Sequence, residues 1–245
     1  MKIAIMLSGQ PRFNREFSDL LQNLKNYDQI DLFLYLVNSD PADSVFIPPT
    51  WPRDIDGVRS KILANIPEQV RIADLQVLPQ IQHQATGQYN LTPWSNPVNI
   101  WHTYYGIKQV NFMRKSYENM HGEYDFVIKA RPDTGFRDPI DCRSIKDYLD
   151  KNPSTVIMPD DRRFGMQGNP VNDLVGIGLG NTINTYCSAI DYFDQYNEQG
   201  TLYHGETLLS KHLVTNNIQF PPLGIICTFR EHWYAHNRPD YGSWI

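Results

Sequence analysis

Three short polar segments of this chain hold side chains suited to an anionic small molecule. Ser8-Gly9-Gln10-Pro11-Arg12 follows the apolar run Ile3 to Leu7. The glycine lets backbone N–H groups approach a ligand, Ser8 and Gln10 add a hydroxyl and an amide, and Arg12 brings a guanidinium to the start of a helix. That set suits a nucleotide, and a plain strand-to-helix turn has the same composition. Arg131-Pro132-Asp133 follows the run Tyr124 to Ala130. A carboxylate just past a hydrophobic strand can hold a divalent cation, Mn²⁺ or Mg²⁺, which neutralises a departing diphosphate. Asp133 is the candidate metal ligand, and a turn-capping aspartate paired with Arg131 is the competing reading. Arg131 can also meet a diphosphate itself through its planar fork. The third segment, His204-Gly205-Glu206-Thr207-Leu208-Leu209, opens a helical pattern with an acid. A helix N-terminus there should lower the Glu206 pKa and favour its charged form, and complementing the helix dipole would be reason enough for an acid at this position.

These segments need a scaffold that brings distant loops together, and the hydrophobic pattern supplies one. Residues 2 to 7 read as a buried strand broken at Ser8-Gly9, followed by a helix with Phe13, Phe17, Leu20, Leu21 and Leu24 at helical spacing. Ile30 to Val37 is a second buried strand, so the pair should be parallel. A short helix over 57–66, a strand over 70–77 and a polar loop over 79–96 come next. A long helix then starts at Ser95-Asn96-Pro97 and runs to about Glu118. The strand from Tyr124 stops where Pro132 cannot donate to a ladder. Beyond it we expect a helix over 143–151, a strand over 155–158, a loop over 159–172, a strand over 174–179, helices over 181–196 and 205–216, and a strand over 223–229. The whole reads as a single α/β domain over 1–245 with six or seven strands, mainly parallel and flanked by helices. Ligands of such sheets bind at the carboxyl ends of strands, where all three polar segments fall or converge.

Composition narrows the partners. With 41% hydrophobic and 20% charged residues the chain has the makeup of a folded globular protein. A net charge of −5 argues against a nucleic-acid partner. The three cysteines, Cys142, Cys187 and Cys227, lack zinc or redox spacing and read as buried thiols in a reducing compartment. The first apolar run is too short for a signal peptide or a transmembrane segment, so a cytoplasmic protein is expected.

The strand leading into Arg131-Pro132-Asp133-Thr134-Gly135-Phe136 resembles the aspartate-x-aspartate region of GT-A glycosyltransferases. It is similar to capsular and lipopolysaccharide-type members that carry arginine at the first acidic position. The opening Ser8-Gly9-Gln10-Pro11-Arg12, the segment Gly168 to Gly178 and the acid at the start of the late helix resemble the same proteins. The resemblance implies a GT-A, Rossmann-like fold and sugar transfer from a nucleotide-sugar donor to a glycan acceptor. It implies Glu206 as general base, since an acceptor hydroxyl must lose its proton as it attacks the anomeric carbon. Ser8, Gly9, Gln10, Arg12 and Arg131 would hold the nucleotide and diphosphate, and Asn172 and Asp173 the sugar hydroxyls. The family also implies a C-terminal histidine as a further metal ligand, with His204, His232 and His236 available. Lys108 would reach the diphosphate, or stand as a solvated lysine. Trp94, Trp101, Tyr104 and Tyr105 would stack on a base or sugar, or lie in the core. The tail from Trp233 to Pro239 would be a lid or a strap. The rival functions are a non-catalytic carbohydrate- or nucleotide-binding module and a nucleotidyltransferase, the latter lacking a glycine-rich triphosphate loop.

Overall fold

The computed structural model describes residues 1–10, 15–38, 54–64, 66–79, 87–91, 96–160, 164–166 and 169–229. The chain begins with β1 (Lys2–Gly9), α1 (Arg15–Gln22), β2 (Leu24–Lys25), β3 (Gln29–Asn38), α2 (Ile55–Leu63) and β4 (Val70–Pro79). The long helix α3 (Pro97–His121) leads into β5 (Phe126–Ala130), β6 (Thr134–Phe136), β7 (Ile140–Asp141) and α4 (Cys142–Lys151). Then come β8 (Phe164–Met166), β9 (Asn169–Val171), β10 (Val175–Gly178), α5 (Gly180–Cys187), a 3-10 turn (Ala189–Tyr192), α6 (Phe193–Glu198), α7 (Gly205–Thr215) and β11 (Cys227–Phe229).

Five strands form the central sheet in the order β10-β5-β1-β3-β4. β1 pairs in parallel with β3 and β5, and β3 with β4, while β10 runs antiparallel to β5. The result is a mixed, mainly parallel sheet flanked by helices, as the sequence pattern requires. Burial on both faces explains why β1 and β3 read as continuous apolar runs instead of alternating ones. Ile3, Ile5, Leu7, Phe126 and Ile128 face one apolar layer with Leu20 of α1, Val58 of α2 and Leu149 of α4. Ala4, Met6 and Val127 face the other, with Ile107 of α3, Tyr186 of α5 and Leu208 of α7. Two buried charges interrupt this second face: Asp31 near the start of β3 and Lys129 near the end of β5.

Helix ends follow their capping chemistry. Asn96 accepts from the Asn99 N–H and Pro97 fills the first turn of α3, which closes at Gly122 with φ 83°. Among the described residues no helix is long and apolar enough to cross a membrane.

Five details differ from the sequence pattern. Outside the central sheet, short strands pair as β2 with β7, β6 with β11 and β8 with β9, so the described residues hold eleven strands in one sheet and three ribbons where six or seven were expected. The expected strand over 155–158 makes only the bridges Thr155↔Gln219 and Ile157↔Ile177. The expected loop over 159–172 contains the β8–β9 hairpin. The expected helix over 181–196 breaks at Ser188, whose hydroxyl bonds back to the Thr185 carbonyl at 2.9 Å and competes with the helical ladder. The last strand shortens to Cys227–Phe229 because Gly224 turns the chain with φ 76°.

Candidate functional site

Because β1 and β5 are parallel neighbours, their carboxyl ends bring the first two polar segments side by side. Gly9 has φ 128°, a conformation that favours glycine, and a Cβ on it would lie 3.9 Å from Pro132 Cδ. Ser8 turns its side chain onto α3, where a Cβ on Gly106 would sit 3.4 Å from Ser8 Cβ. Gln10 follows directly at the mouth of β1, half-buried.

The antiparallel register of β10 on β5 places Gly176 opposite Lys129 and Val175 opposite Ala130. The turn that precedes β10 therefore lies over the end of β5. Asn172 closes this turn, its Oδ1 accepting from the Leu174 N–H at 2.9 Å. Lys129 Nζ donates to the Asp173 carbonyl, and Tyr186 Oη reaches the same oxygen at 3.5 Å. Tyr104 Oη donates to Asp173 Oδ2 at 3.3 Å. Gly176 makes room for this packing, since a Cβ there would fall 3.2 Å from the Tyr186 ring.

The third segment arrives through α7. Its first residue, Gly205, packs so closely on Tyr104 that a Cβ would lie 3.1 Å from Cε2 of that ring. Glu206 follows in the first turn, with His204 Nε2 at 3.4 Å from its Oε2 and His204 Nδ1 at 3.2 Å from Thr207 Oγ1. Tyr104 thus joins the α7 N-terminus to Asp173.

Burial, then the Asp173 charge, push the Glu206 carboxyl up to about 7, against the pull of Arg131 and Lys129. This reverses the lowering expected from the helix N-terminus: desolvation and a neighbouring anion outweigh the dipole. Burial pulls the Lys129 ammonium down to about 8, partly offset by Asp173. Burial also disfavours the Arg131 charge, but Asp133, with Asp173 and Glu206, more than restores it and raises its pKa. His204 is lowered by burial, with Asp173 opposing.

Of the residues singled out from sequence, Ser8, Gly9, Arg131, Asp133, Asp173 and Glu206 gather around the ends of β1 and β5. Asn172 uses its carboxamide oxygen to hold the turn. Lys108 lies on the surface and pairs with Asp191 at 2.6 Å, which directs its ammonium to the 3-10 turn instead of a diphosphate. Tyr104 is a core residue, whereas Trp101 and Tyr105 stack at 4.5 Å and stay half-exposed. Arg12, Trp94, Gly168, His232, His236 and the tail from Trp233 to Pro239 lie outside the described residues. Lys129 and Tyr186 were not singled out. The available signal was a lysine inside an otherwise apolar strand.

Arg131 Nε meets Asp133 Oδ1 at 3.0 Å and a second guanidinium nitrogen meets Oδ2 at 3.3 Å, so both oxygens face a guanidinium. Among the described residues no three His, Cys, Asp or Glu side chains gather as a metal site. His204 pairs with Glu206. The described residues do not fit a metal at Asp133.

Fold and site together define an α/β protein with a buried acid–base cluster at the carboxyl ends of its parallel strands. No protein-family model matches the chain, and no curated protein matches it.

Proposed function

We propose that the protein transfers a sugar from a nucleoside diphosphate sugar to a glycan hydroxyl. The observation that carries this reading is Glu206, a half-buried carboxylate held near neutral pH at the N-terminus of α7, beside Asp173 and within the field of Arg131 and Lys129. A base with a pKa close to the working pH is both ionised and basic enough to accept a proton in the transition state. In the proposed reaction Glu206 takes the proton of the acceptor hydroxyl as that oxygen attacks the anomeric carbon. The bond from this carbon to the diphosphate breaks, and the electron pair leaves on the phosphate oxygen, where Arg131 offers a guanidinium. Ser8, Gly9, Gln10 and Arg12 hold the nucleotide, and Asp173 orients the sugar hydroxyls. Arg131 carries the positive charge that Mn²⁺ or Mg²⁺ would supply at a two-carboxylate motif, and no step here runs through a metal. A cytoplasmic setting accords with the buried, unbridged Cys142, Cys187 and Cys227.

The second reading is a non-catalytic nucleotide- or carbohydrate-binding module. The observation favouring it is the Arg131–Asp133 pair, which occupies the carboxylate that such a site would offer to a metal. One experiment separates the two. A thermal-shift panel of nucleotide sugars identifies a donor, because selective binding raises apparent stability by about 2.7 kcal/mol at 100 times Kd. Release of nucleoside diphosphate from that donor with a glycan acceptor supports transfer; binding without release supports the module. No stabilisation by any nucleotide sugar in folded protein would remove the transfer reading.

A further inference from the structure

Lys129 carries an ammonium into the interior of the sheet. It is 1% exposed on the α3 and α7 face of β5, where Val127, two residues before it, and Met6, its register partner on β1, are both apolar. A buried ammonium is unfavourable unless something requires it, and a methionine of similar volume would fill the same space without desolvation. What it touches is specific. Its Nζ donates to the Asp173 carbonyl and lies 5.7 Å from the centre of the Tyr186 ring, and Tyr186 Oη reaches the same carbonyl. Gly176, its register partner, leaves the room this arrangement needs.

We propose that Lys129 is a positioning residue of the site: its ammonium anchors the Asn172–Leu174 turn from below and supplies the positive charge that lets Asp173 and Glu206 stand close together at the ends of the strands. This rests on the reading of Glu206 as the base. The anchor acts on the backbone of Asp173, while Tyr104 Oη holds the carboxylate of the same residue at 3.3 Å. Lys129 from β5 and Tyr104 from α3 therefore fix Asp173 at two points. The charge acts on Glu206, which feels Asp173 as a repulsion and Arg131 and Lys129 as attractions. Groups facing this pair from the packed elements are Lys129 and Arg131 of the β5 end, Asp173 before β10, Tyr104 of α3, Tyr186 and Cys187 of α5, and His204 before α7.

The test is a carbon-detected NMR titration of the Glu206 carboxyl in the parent protein, in Lys129→Met and in Lys129→Arg. Losing the charge should move the Glu206 midpoint up by about one unit, and arginine should bring it back toward the parent value. Lys129→Gln, whose amide keeps a donor for the Asp173 carbonyl without a charge, should shift the midpoint as methionine does. An unchanged Glu206 midpoint in folded Lys129→Met overturns the proposal. A second readout needs no variant: the nitrogen signal of the Lys129 side chain in the parent must be that of an ammonium at pH 7, and a neutral amine there overturns it equally. Neither measurement depends on turnover. A parent protein that transfers no sugar would defeat the functional reading and leave the Lys129 result to stand or fall by its own titration.

Discussion

Asp133 presents both carboxylate oxygens to Arg131, at 3.0 Å and 3.3 Å, two residues away across Pro132. A guanidinium thus stands where a two-acid motif would place a divalent ion. Binding of a nucleoside diphosphate should survive chelation by EDTA unchanged. Arg131→Ala alone would remove the guanidinium from a carboxylate that is 2% exposed, so the informative variant is Arg131→Ala with Asp133→Asn. Calorimetry should show it binding the diphosphate about 10- to 100-fold more weakly, the worth of about 1.5–3 kcal/mol in charge-assisted hydrogen bonds. If EDTA abolishes binding and Mn²⁺ restores it, the guanidinium is not the cation of this site.

The rate of transfer should rise with pH through about 7 and level off above it, because Glu206 must be ionised to act as a base. Glu206→Gln should lower kcat by about 10²–10⁴ while leaving nucleotide affinity intact. A profile flat from pH 6 to pH 8 in the parent would sink the assignment.

The same carboxyl makes a prediction about stability. Its folded value of about 7 exceeds its ordinary 4.5, so the folded protein binds more protons than the unfolded chain between these limits. Stability therefore falls as pH rises from 4.5 to 7 on account of this group. Glu206→Gln removes that loss: at pH 8 it should be more stable than the parent by about 1–3 kcal/mol, and near pH 4.5 the difference should vanish. Denaturant melts at the two pH values decide it, and a variant less stable than the parent at pH 8 would show that the carboxylate is not under strain.

Asp31 is fully buried at the opposite, amino-terminal end of the sheet, accepting from Tyr124 Oη at 2.7 Å and from Arg71 Nε at 2.5 Å. Burial works to raise its pKa, but the hydrogen bonds from Arg71, Tyr124 and Gln29 lower it on balance. Its contribution is thus present above the ordinary aspartate value and disappears as pH falls through the lower folded value. Asp31→Ala should cost about 1–3 kcal/mol, seen as a drop in Tm, because the buried Tyr124 hydroxyl loses its acceptor while the half-exposed Arg71 turns to water. Nucleotide affinity of the folded fraction should not change, and a loss of affinity would mean that the two ends of the sheet are coupled.

Thr134 is fully buried in β6, and its hydroxyl has no hydrogen-bond partner among the described residues. Valine keeps the shape and removes the orphaned group. Thr134→Val should be neutral or stabilising by about 1 kcal/mol in a denaturant melt, since an unsatisfied buried hydroxyl carries its full desolvation penalty. A clear loss of stability would mean that the hydroxyl has a partner.

The hydrophobic pattern determined the sheet. Apolar runs as complete as Ile3 to Leu7 and Leu32 to Leu36 can be buried on two faces only between helices, which made the parallel pairing of β1 and β3 legible in advance. Pro132 after β5 and Asn96-Pro97 before α3 marked their boundaries by backbone chemistry alone. The positions of the segments around Ser8 and Arg131 were legible for a similar reason, because polar residues that break a buried apolar run mark the end of its strand.

Tertiary structure decided everything that depends on what lies across from what. In the sequence Lys129 is a single charge inside an apolar strand; in the fold β10 sets Gly176 opposite it and carries the Asp173 carbonyl over its ammonium. The sequence placed Glu206 at a helix N-terminus, which predicts an acid more ionised than usual. Only the fold brought Asp173 beside it and closed α7 onto Tyr104 at Gly205, and those two changes reverse the sign. Local sequence sets a dipole and a cap. The desolvation and pairing that outweigh them come from residues distant in the chain, which no local pattern encodes.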